Sequence, residues 1–300
     1  MTTEEMGVII KKKERGFFMV DLNRLAEIIG ENHWNIYRIA EMRGDGEPKE
    51  ICLQKGNRCS NSYSVAKAFT VAAVGLLYDR GLLDPAEKIT DILKQFITQA
   101  PAEGWQEVTL DHLMRHRCGL STGFLDIDCN DPRSFGQDYL QYTLSQPLCC
   151  PPDTERRYSD GAFYLAARAV EARCGKGLDD FLWEHLLWPM GFREMAFSHC
   201  PMGHAMGATG LYLQAGDMVK LGGLWLNGGI YHGKRLLSQE WIEQSLRREY
   251  EMRPVGNKGC YGKSGMNGQM LLVLPHEGRA IAWHGHDSAA KEALVRLLSE

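Results

Sequence analysis

Two serine–lysine pairs with the spacing S-x-x-K are the residues of this chain best suited to nucleophilic chemistry. Ser64 precedes Lys67 in SYSVAKAFT, and Ser288 precedes Lys291 near the C-terminal end. Residues three apart on a helix lie on the same face, so each lysine could stand beside its serine hydroxyl. Burial lowers the pKa of a lysine, which could let it take the serine proton at neutral pH. About one such spacing is expected by chance in a chain of this length, so the surroundings must decide.

The surroundings favour the first pair. Ser64 opens a long, mostly apolar stretch that ends near Arg80. If this stretch is a helix, Ser64 lies at its N-terminal end, where the helix dipole is positive. The competing interpretation is a helix-capping serine with a lysine that reaches to the surface. Ser288 begins a short amphipathic helix, and helix capping explains it without chemistry.

A third serine, Ser121, lies in the sequence Gly-Leu-Ser-Thr-Gly and matches the nucleophile pattern G-x-S-x-G. That pattern needs a strand before the serine and a helix after it. Here the helical stretch LDHLMRHRC comes before it and the loop FLDIDCNDP follows. We therefore interpret this segment as a glycine-rich turn.

Two further triplets supply partners for Ser64. Tyr158-Ser159-Asp160 follows a proline-rich loop and precedes an apolar helix, and Lys263-Ser264-Gly265 precedes an apolar strand. Each triplet alone is a weak signal. The ordered set of S-x-x-K, Y-x-[ND] and K-[ST]-G, each in a fitting context, is the specific observation.

With these motifs the chain resembles the penicillin-recognising serine hydrolases, the group of class C β-lactamases, D,D-peptidases, D-aminopeptidases and related esterases. The resemblance extends over about residues 35–290 and includes RCSNSYSVAKAFTVAAVGLLYDRGLLD, VTLDHLMRHRCGLSTG and ATGLYLQAGDMVKLGGLWLNGG. It implies a β-lactamase/transpeptidase-like fold of the α/β (α+β) class. In that fold an antiparallel sheet built from both chain ends is flanked by helices, and an all-helical region is inserted.

The resemblance also implies catalytic roles. Ser64 is similar to the nucleophile that becomes acylated, and Lys67 to the lysine that accepts or shares its proton. Tyr158 matches the tyrosine that acts as base in acylation and passes a proton to the leaving group. Lys263 matches the lysine that assists this tyrosine, and two ammonium groups beside a phenol favour its deprotonated form.

The implied substrate-binding residues are Asp160, Ser264, Gly265 and Met266. The backbone N–H groups of Ser64 and Met266 would form the oxyanion hole. Asp160 departs from the family pattern, which usually has asparagine at this position. An asparagine amide can donate a hydrogen bond to a substrate carbonyl, whereas an ionised carboxylate can only accept hydrogen bonds. It could pair with Lys67 or Lys263, or it could bind a cationic group of the substrate.

The elements that must position these residues follow from periodicity and turn signals. We expect strands at 35–42, 50–54, 207–213, 270–275 and 279–283, and helices at 20–30, 64–80, 217–225, 240–249 and from 289 onwards. Residues 1–82 and 200–300 are predicted to form a composite α/β domain and 83–199 a helical domain, with the active site at their interface.

Composition limits the function classes. The net charge of −4 gives no basic footprint, so we expect no nucleic-acid partner, and no apolar run is long enough for a membrane span. Nine cysteines without a CxxC pair fit reduced thiols, and the N-terminus lacks the pattern of a leader, so we expect a cytoplasmic protein. No metal or other cofactor is required, and the sequence leaves the oligomeric state open.

The sequence therefore predicts a serine hydrolase that acts through a Ser64 acyl-enzyme on a small amide, peptide or ester. D-amino-acid amides and peptides are among the substrates considered. The alternatives are a carboxylesterase of the same fold and a non-catalytic penicillin-binding or sensor module.

Overall fold

The computed structural model describes residues 20–300. The strands are β1 Ile36–Arg43, β2 Lys49–Cys52, β3 Ser60–Asn61, β4 Ala196–Phe197, β5 Leu211–Leu213, β6 Ile230–Tyr231, β7 Lys234–Arg235, β8 Arg253–Val255, β9 Cys260–Ser264, β10 Met270–Leu274 and β11 Arg279–Gly285. The α-helices are α1 Leu22–Glu31, α2 Ala66–Tyr78, α3 Ile89–Ile92, α4 Leu110–Met114, α5 Tyr139–Leu144, α6 Asp160–Cys174, α7 Leu178–Leu182, α8 Ala215–Leu226, α9 Gln239–Arg247 and α10 Ser288–Ser299. The N-terminal segment, in which the sequence shows no leader pattern, lies in residues 1–19, outside the described part.

The main sheet has six antiparallel strands in the order β2-β1-β11-β10-β9-β8. Its centre is made of β10 and β11, whose residues are all buried, as their nearly continuous apolar sequences require. Because β1 pairs with β11, the first strand and the last share one sheet. This confirms the predicted α/β class and the antiparallel sheet built from both ends of the chain.

Helices cover both faces of this sheet. Two glycines bring α8 close to it: a Cβ on Gly222 would lie 2.9 Å from Cβ of Ala280, and one on Gly223 would lie 2.3 Å from Sδ of Met42. On the opposite face α1 and α10 pack through Leu25, Leu294 and other apolar residues. The sheet is therefore a rigid support for the residues at its edge.

The helix α2 is the centre of the helical part. Ala66 through Leu77 are all buried, which explains why its sequence is apolar on every side. A Cβ on Gly75 would lie 2.2 Å from Nε1 of Trp241, so only glycine permits this approach.

The structure differs from the sequence-based expectations in several places. The strand expected at 207–213 covers only Leu211–Leu213, and β8 and β9 were not predicted. The segment 83–199 is not wholly helical, because β4 pairs with β5 in a three-stranded sheet with β3. The α-helix expected from Ser64 begins at Ala66, and Ser64 lies in the preceding 3₁₀ turn. Ser288 is not the cap of α10, since the carboxylate of Asp287 accepts the N–H of Ala290 at 2.9 Å. The division into two domains stays a prediction.

Within residues 20–300, the helices are all too short or too polar to cross a bilayer.

Candidate active site

Ser64 is presented by a strained turn at the start of α2. The preceding residue, Tyr63, has a φ of 48°, a left-handed conformation that side-chain-bearing residues seldom adopt. The N–H of Tyr63 donates to Oδ1 of Asn61 at 2.8 Å, and the N–H of Ser62 donates to the carbonyl of Leu211 at 2.8 Å. These bonds fix the turn, and strain held this way is frequent at functional sites.

Lys67 lies beneath the serine and is 0% exposed. Its Nζ donates to three acceptors: Oγ of Ser64 at 3.1 Å, Oδ1 of Asp160 at 2.7 Å and the carbonyl oxygen of Ala208 at 2.8 Å. An ammonium has three N–H donors, so this set satisfies its protonated form completely.

Burial alone does not decide whether Lys67 can take the serine proton. Burial acts to lower the Lys67 pKa, but the charges of its neighbours, Asp160 foremost, outweigh it and hold the pKa above the ordinary value. The three acceptors and the raised pKa favour the protonated form of Lys67, which donates to Ser64.

Asp160 is the buried counter-ion of Lys67, at the first residue of α6. The ion pair that the sequence allowed is thus present, while recognition of a substrate amine stays a prediction. Carboxylate oxygens of Asp126, Asp128 and Asp160 lie within 4.8 Å of one another, an arrangement that could hold a cation. Asp160, however, already binds Lys67, and Thr209 donates to Asp128.

Tyr158 and Lys263 line one cleft together with Ser64. Nζ of Lys263 donates to the Tyr158 hydroxyl oxygen at 3.1 Å. The ammonium groups of Lys67 and Lys263 lie 4.7 and 4.8 Å from the centroid of the Tyr158 ring. Both positive charges therefore face the phenol, as the two motifs predicted.

A buried acid that the motifs did not reveal, Glu251, contacts both Lys263 and His116. Glu251 is 1% exposed and forms an ion pair with Lys263, while its Oε1 lies 2.9 Å from Nε2 of His116. Nδ1 of His116 accepts the N–H of Ser159 at 3.3 Å, so the Nε2–H of the neutral ring donates to Glu251.

Both members of this buried pair have shifted pKa values. Burial lowers the pKa of His116 to about 4, which keeps the ring neutral. Burial would raise the pKa of Glu251, but the charge of Lys263 and the hydrogen bond from His116 outweigh it and hold the pKa below its ordinary value. Glu251 is therefore a carboxylate that fixes Lys263. No local motif marks Glu251, although His116 lies in the block VTLDHLMRHRCGLSTG.

Gly265, directly after β9, lies close against the serine turn. A Cβ on this residue would lie 2.3 Å from the carbonyl oxygen of Ser62, so the close approach needs glycine. The following residues Met266 and Asn267 turn back toward β10, with a φ of 62° at Asn267.

One cleft of about 570 Å³ collects most of the predicted site residues. It is lined by Ser64, Tyr158, Lys263, Ser264, Gly265 and Met266, together with Glu251, Arg156 and Arg253. Lys67 and Asp160 lie buried and reach it through Ser64. The competing serines Ser121 and Ser288 are exposed elsewhere and do not line it.

The chain is similar to known proteins in sequence and in fold. A family model described as Beta-lactamase matches residues 56–294. Penicillin-binding protein 4 of Amycolatopsis lactamdurans is 32% identical over 133 residues, which cover 44% of this chain and 34% of that protein. Penicillin-binding protein 4* of Bacillus subtilis is 26% identical over 188 residues, which cover 58% and 40%. The matches thus span well under half the length of these relatives.

Solved structures with the same fold include a putative 6-aminohexanoate-dimer hydrolase from Bacillus anthracis. Its TM-score is 0.72 at 18% identity, with 90% of this chain and 78% of that one covered. A family VIII carboxylesterase has a TM-score of 0.71 at 15% identity, with 92% and 95% covered. At these identities the likeness concerns the fold alone.

Proposed function

Because the chain belongs to the β-lactamase family, we propose that it is a serine hydrolase that acts through an acyl-enzyme on Ser64. The observation that carries the proposal is the position of Ser64, whose Oγ contacts the Lys67 ammonium and faces the same cleft as Tyr158 and Lys263. Its substrates would be small amides, peptides or esters.

Tyr158 would serve as the base. The protonated form of Lys67 cannot accept the Ser64 proton, whereas the Tyr158 oxygen lines the cleft. In acylation Tyr158 would start as the phenolate beside the two ammonium groups, and Oγ of Ser64 would attack the carbonyl carbon while its proton passes to the phenolate oxygen. Tyr158 would then give that proton to the departing nitrogen or oxygen, and a water molecule would release the acyl group by the reverse sequence.

The backbone N–H groups of Ser64 and Met266 would bind the oxyanion that forms in both steps. Loss of one such donor typically costs about 10²–10³-fold in rate. Lys263 has three N–H donors, of which Glu251 and Tyr158 occupy two. The third would bind a substrate carboxylate beside Ser264, which favours amide or peptide substrates with a carboxylate.

A carboxylesterase is the second candidate, since an esterase shares the fold. The two activities separate by substrate: an esterase would hydrolyse p-nitrophenyl acetate far faster than D-aminoacyl amides or nitrocefin. A sensor module would acylate and then fail to turn over.

Labelling with a fluorescent fluorophosphonate and a fluorescent penicillin tests the proposal. We expect labelling of the native protein and of Ser121→Ala and Ser288→Ala, and none of Ser64→Ala. Labelling that survives Ser64→Ala and disappears in either control would refute the assignment of the nucleophile.

A further inference from the structure

Six arginines surround a depression of about 280 Å³ beside the catalytic cleft. They are Arg115, Arg117, Arg156, Arg247, Arg248 and Arg253, and Glu249 is the single acidic residue that lines the depression with them. The chain as a whole carries a net charge of −4, so this concentration of positive charge contrasts with its composition. A concave site of one charge sign attracts ligands of the opposite sign.

The carboxylates nearby neutralise only part of this charge. Asp111 pairs with Arg115 and Arg248, and Asp153 pairs with Arg115 and Arg117.

Glu249 pairs with Arg253. Within residues 20–300, Arg156 and Arg247 form no ion pair with a carboxylate. Six guanidinium groups thus share three carboxylates in ion pairs, and the carboxylate of Glu251 acts on Arg156 as well. The arginines still outnumber these carboxylates, so an added anion would offset the remaining positive charge.

Two of the arginines connect the depression to the nucleophile. Arg156 and Arg253 line both the depression and the cleft that contains Ser64. Desolvation and, after it, the charge of Arg253 lower the pKa of Arg156 below its ordinary value. The charges of Glu251 and Glu249 act in the opposite direction. An anion bound between Arg156 and Arg253 would be attracted by both guanidinium groups.

The position of Arg156 indicates which half of a substrate would carry the anion. Its guanidinium carbon lies 5.6 Å from the centroid of the Tyr158 ring. In the proposed mechanism Tyr158 protonates the leaving atom, so the leaving half must lie on the Tyr158 side of the cleft. The acyl half then extends away from the arginines.

We propose that Arg156 and Arg253 bind an anionic group, a carboxylate or a phosphate, on the leaving half of the substrate. This inference rests on the proposed hydrolase function and narrows its substrates to amides or esters whose amine or alcohol part is negatively charged. Arginine suits this role because its planar fork donates two parallel hydrogen bonds to either anion.

A pair of esters tests the preference. Both 2-nitrophenyl acetate and 3-acetoxy-4-nitrobenzoate release an ortho-nitrophenol, and they differ by one carboxylate on the leaving half. We expect the ratio of kcat/KM for the anionic to the neutral ester to fall at least about ten-fold in Arg156→Gln/Arg253→Gln, because charge-assisted hydrogen bonds are lost. The ratio should also fall in the native protein as salt is added.

Matched variants keep the result interpretable. Lys234→Gln removes one positive charge from the separate two-stranded sheet and should leave the ratio unchanged. Arg156→Gln alone breaks no ion pair, so it serves if the double variant fails to fold. Arg156→Lys/Arg253→Lys keeps the charge and should restore part of the preference. An equal ratio in the native protein and in the Gln variants, with both esters hydrolysed, would overturn the inference and leave the hydrolase function standing.

Binding to Ser64→Ala tests the anion site without chemistry. Calorimetry with benzoate and with phenyl phosphate shows which anion is bound. We expect at least one of them to bind to Ser64→Ala. This binding should be lost when Arg156→Gln and Arg253→Gln are introduced in the same protein. Binding of neither anion would overturn the inference. If the native protein hydrolyses neither ester while this binding persists, the hydrolase function fails and the anion site stands.

Discussion

Two segments of this molecule have the same S-x-x-K spacing and opposite surroundings. At Ser64 the paired lysine is fully buried and donates to acceptors 93 and 141 residues away in sequence, on Asp160 and Ala208. At Ser288 the serine is exposed on the first turn of α10, and its neighbour Asp287 caps that helix. The comparison teaches that the spacing only allows chemistry, while tertiary neighbours decide whether a lysine is held as a charged partner.

The backbone differs between the two segments as well. Ser64 follows a left-handed residue, Tyr63, in a turn that Gly265 packs against. Ser288 stands in a regular helical turn on an exposed surface. Strain and close packing around Ser64 hold its hydroxyl in one direction, which a capped surface helix does not require.

The largest expected difference concerns the two hydroxyls. Ser64→Ala should lower kcat for p-nitrophenyl acetate by at least about 10³-fold, because the nucleophile is removed. Ser288→Ala should leave kcat within two-fold or so of the native value, since its oxygen touches no reacting group. Steady-state kinetics with both variants checks this, and equal losses would erase the distinction between the segments.

The next largest effect is expected from breaking the buried ion pair between Lys67 and Asp160. Asp160→Asn removes the carboxylate that outweighs burial at Lys67, so the Lys67 pKa should fall and its titration should enter the pH dependence of kcat/KM. The free energy of unfolding should drop by about 3–5 kcal/mol, because a buried charge loses its partner. Lys291→Met, the corresponding change at the surface segment, should alter neither quantity.

Denaturant unfolding and pH–rate profiles measure both effects of Asp160→Asn. The same variant also separates the two interpretations of Asp160. If it acts only as a counter-ion, rates on free-amine and N-acetylated substrates should fall by the same factor. A selective loss of the amine-bearing substrate would favour amine recognition instead.

A smaller loss is expected where Glu251 fixes Lys263. Glu251→Gln keeps the shape but removes the charge, so Lys263 should be less well held beside Tyr158, and kcat should fall by about 10-fold to 10²-fold. KM for substrates with a carboxylate should change less, because the third N–H of Lys263 remains available. Glu292→Gln, an exposed change on α10, is the matched control. Unchanged kcat in Glu251→Gln would contradict the role given to this residue.

The smallest effect is an acid dependence of stability that comes from the same buried pair. The folded-state pKa of His116 is about 4 against an ordinary 6.5, so the unfolded chain takes up the proton first. Stability should therefore decline as the pH falls from about 6.5 to 4, by a few kcal/mol at most. The lowered pKa of Glu251 contributes stability above about pH 4.5 that is lost on further acidification.

Urea unfolding at pH 7, 5.5 and 4.5 measures this decline. His116→Gln should flatten the dependence above pH 4.5, whereas His286→Gln, at an exposed histidine beside Ser288, should not. An equal slope in His116→Gln and in the native protein would show that the proton uptake lies elsewhere.

Much of the fold followed from the sequence because the relevant signals are local. The apolar runs of β10 and β11 and the hairpin of β1 and β2 need only the pattern of neighbouring residues. The catalytic candidates Ser64 and Tyr158 could be named because each lies in a short motif. Their joint position in one cleft depends on packing, which the sequence alone does not contain.

The missed features all depend on contacts that are distant in sequence. Glu251 meets His116 across 135 residues, and nothing in YEMRPV marks it as charged and buried. The protonation of Lys67 was open for the same reason, because burial and the Asp160 carboxylate act in opposite directions and only the geometry decides between them. The short strand β4 was missed since two residues give no periodicity.

The most direct test of the central claim is the site of the covalent adduct. After reaction with a penicillin or a fluorophosphonate, trypsin would release Ser64 in the peptide 59–67 and Ser288 in the peptide 280–291. Tandem mass spectrometry should find the added mass on Ser64 in CSNSYSVAK and an unmodified AIAWHGHDSAAK. An adduct on Ser288, or on Ser121 in the peptide 118–133, with peptide 59–67 unmodified, would contradict the account.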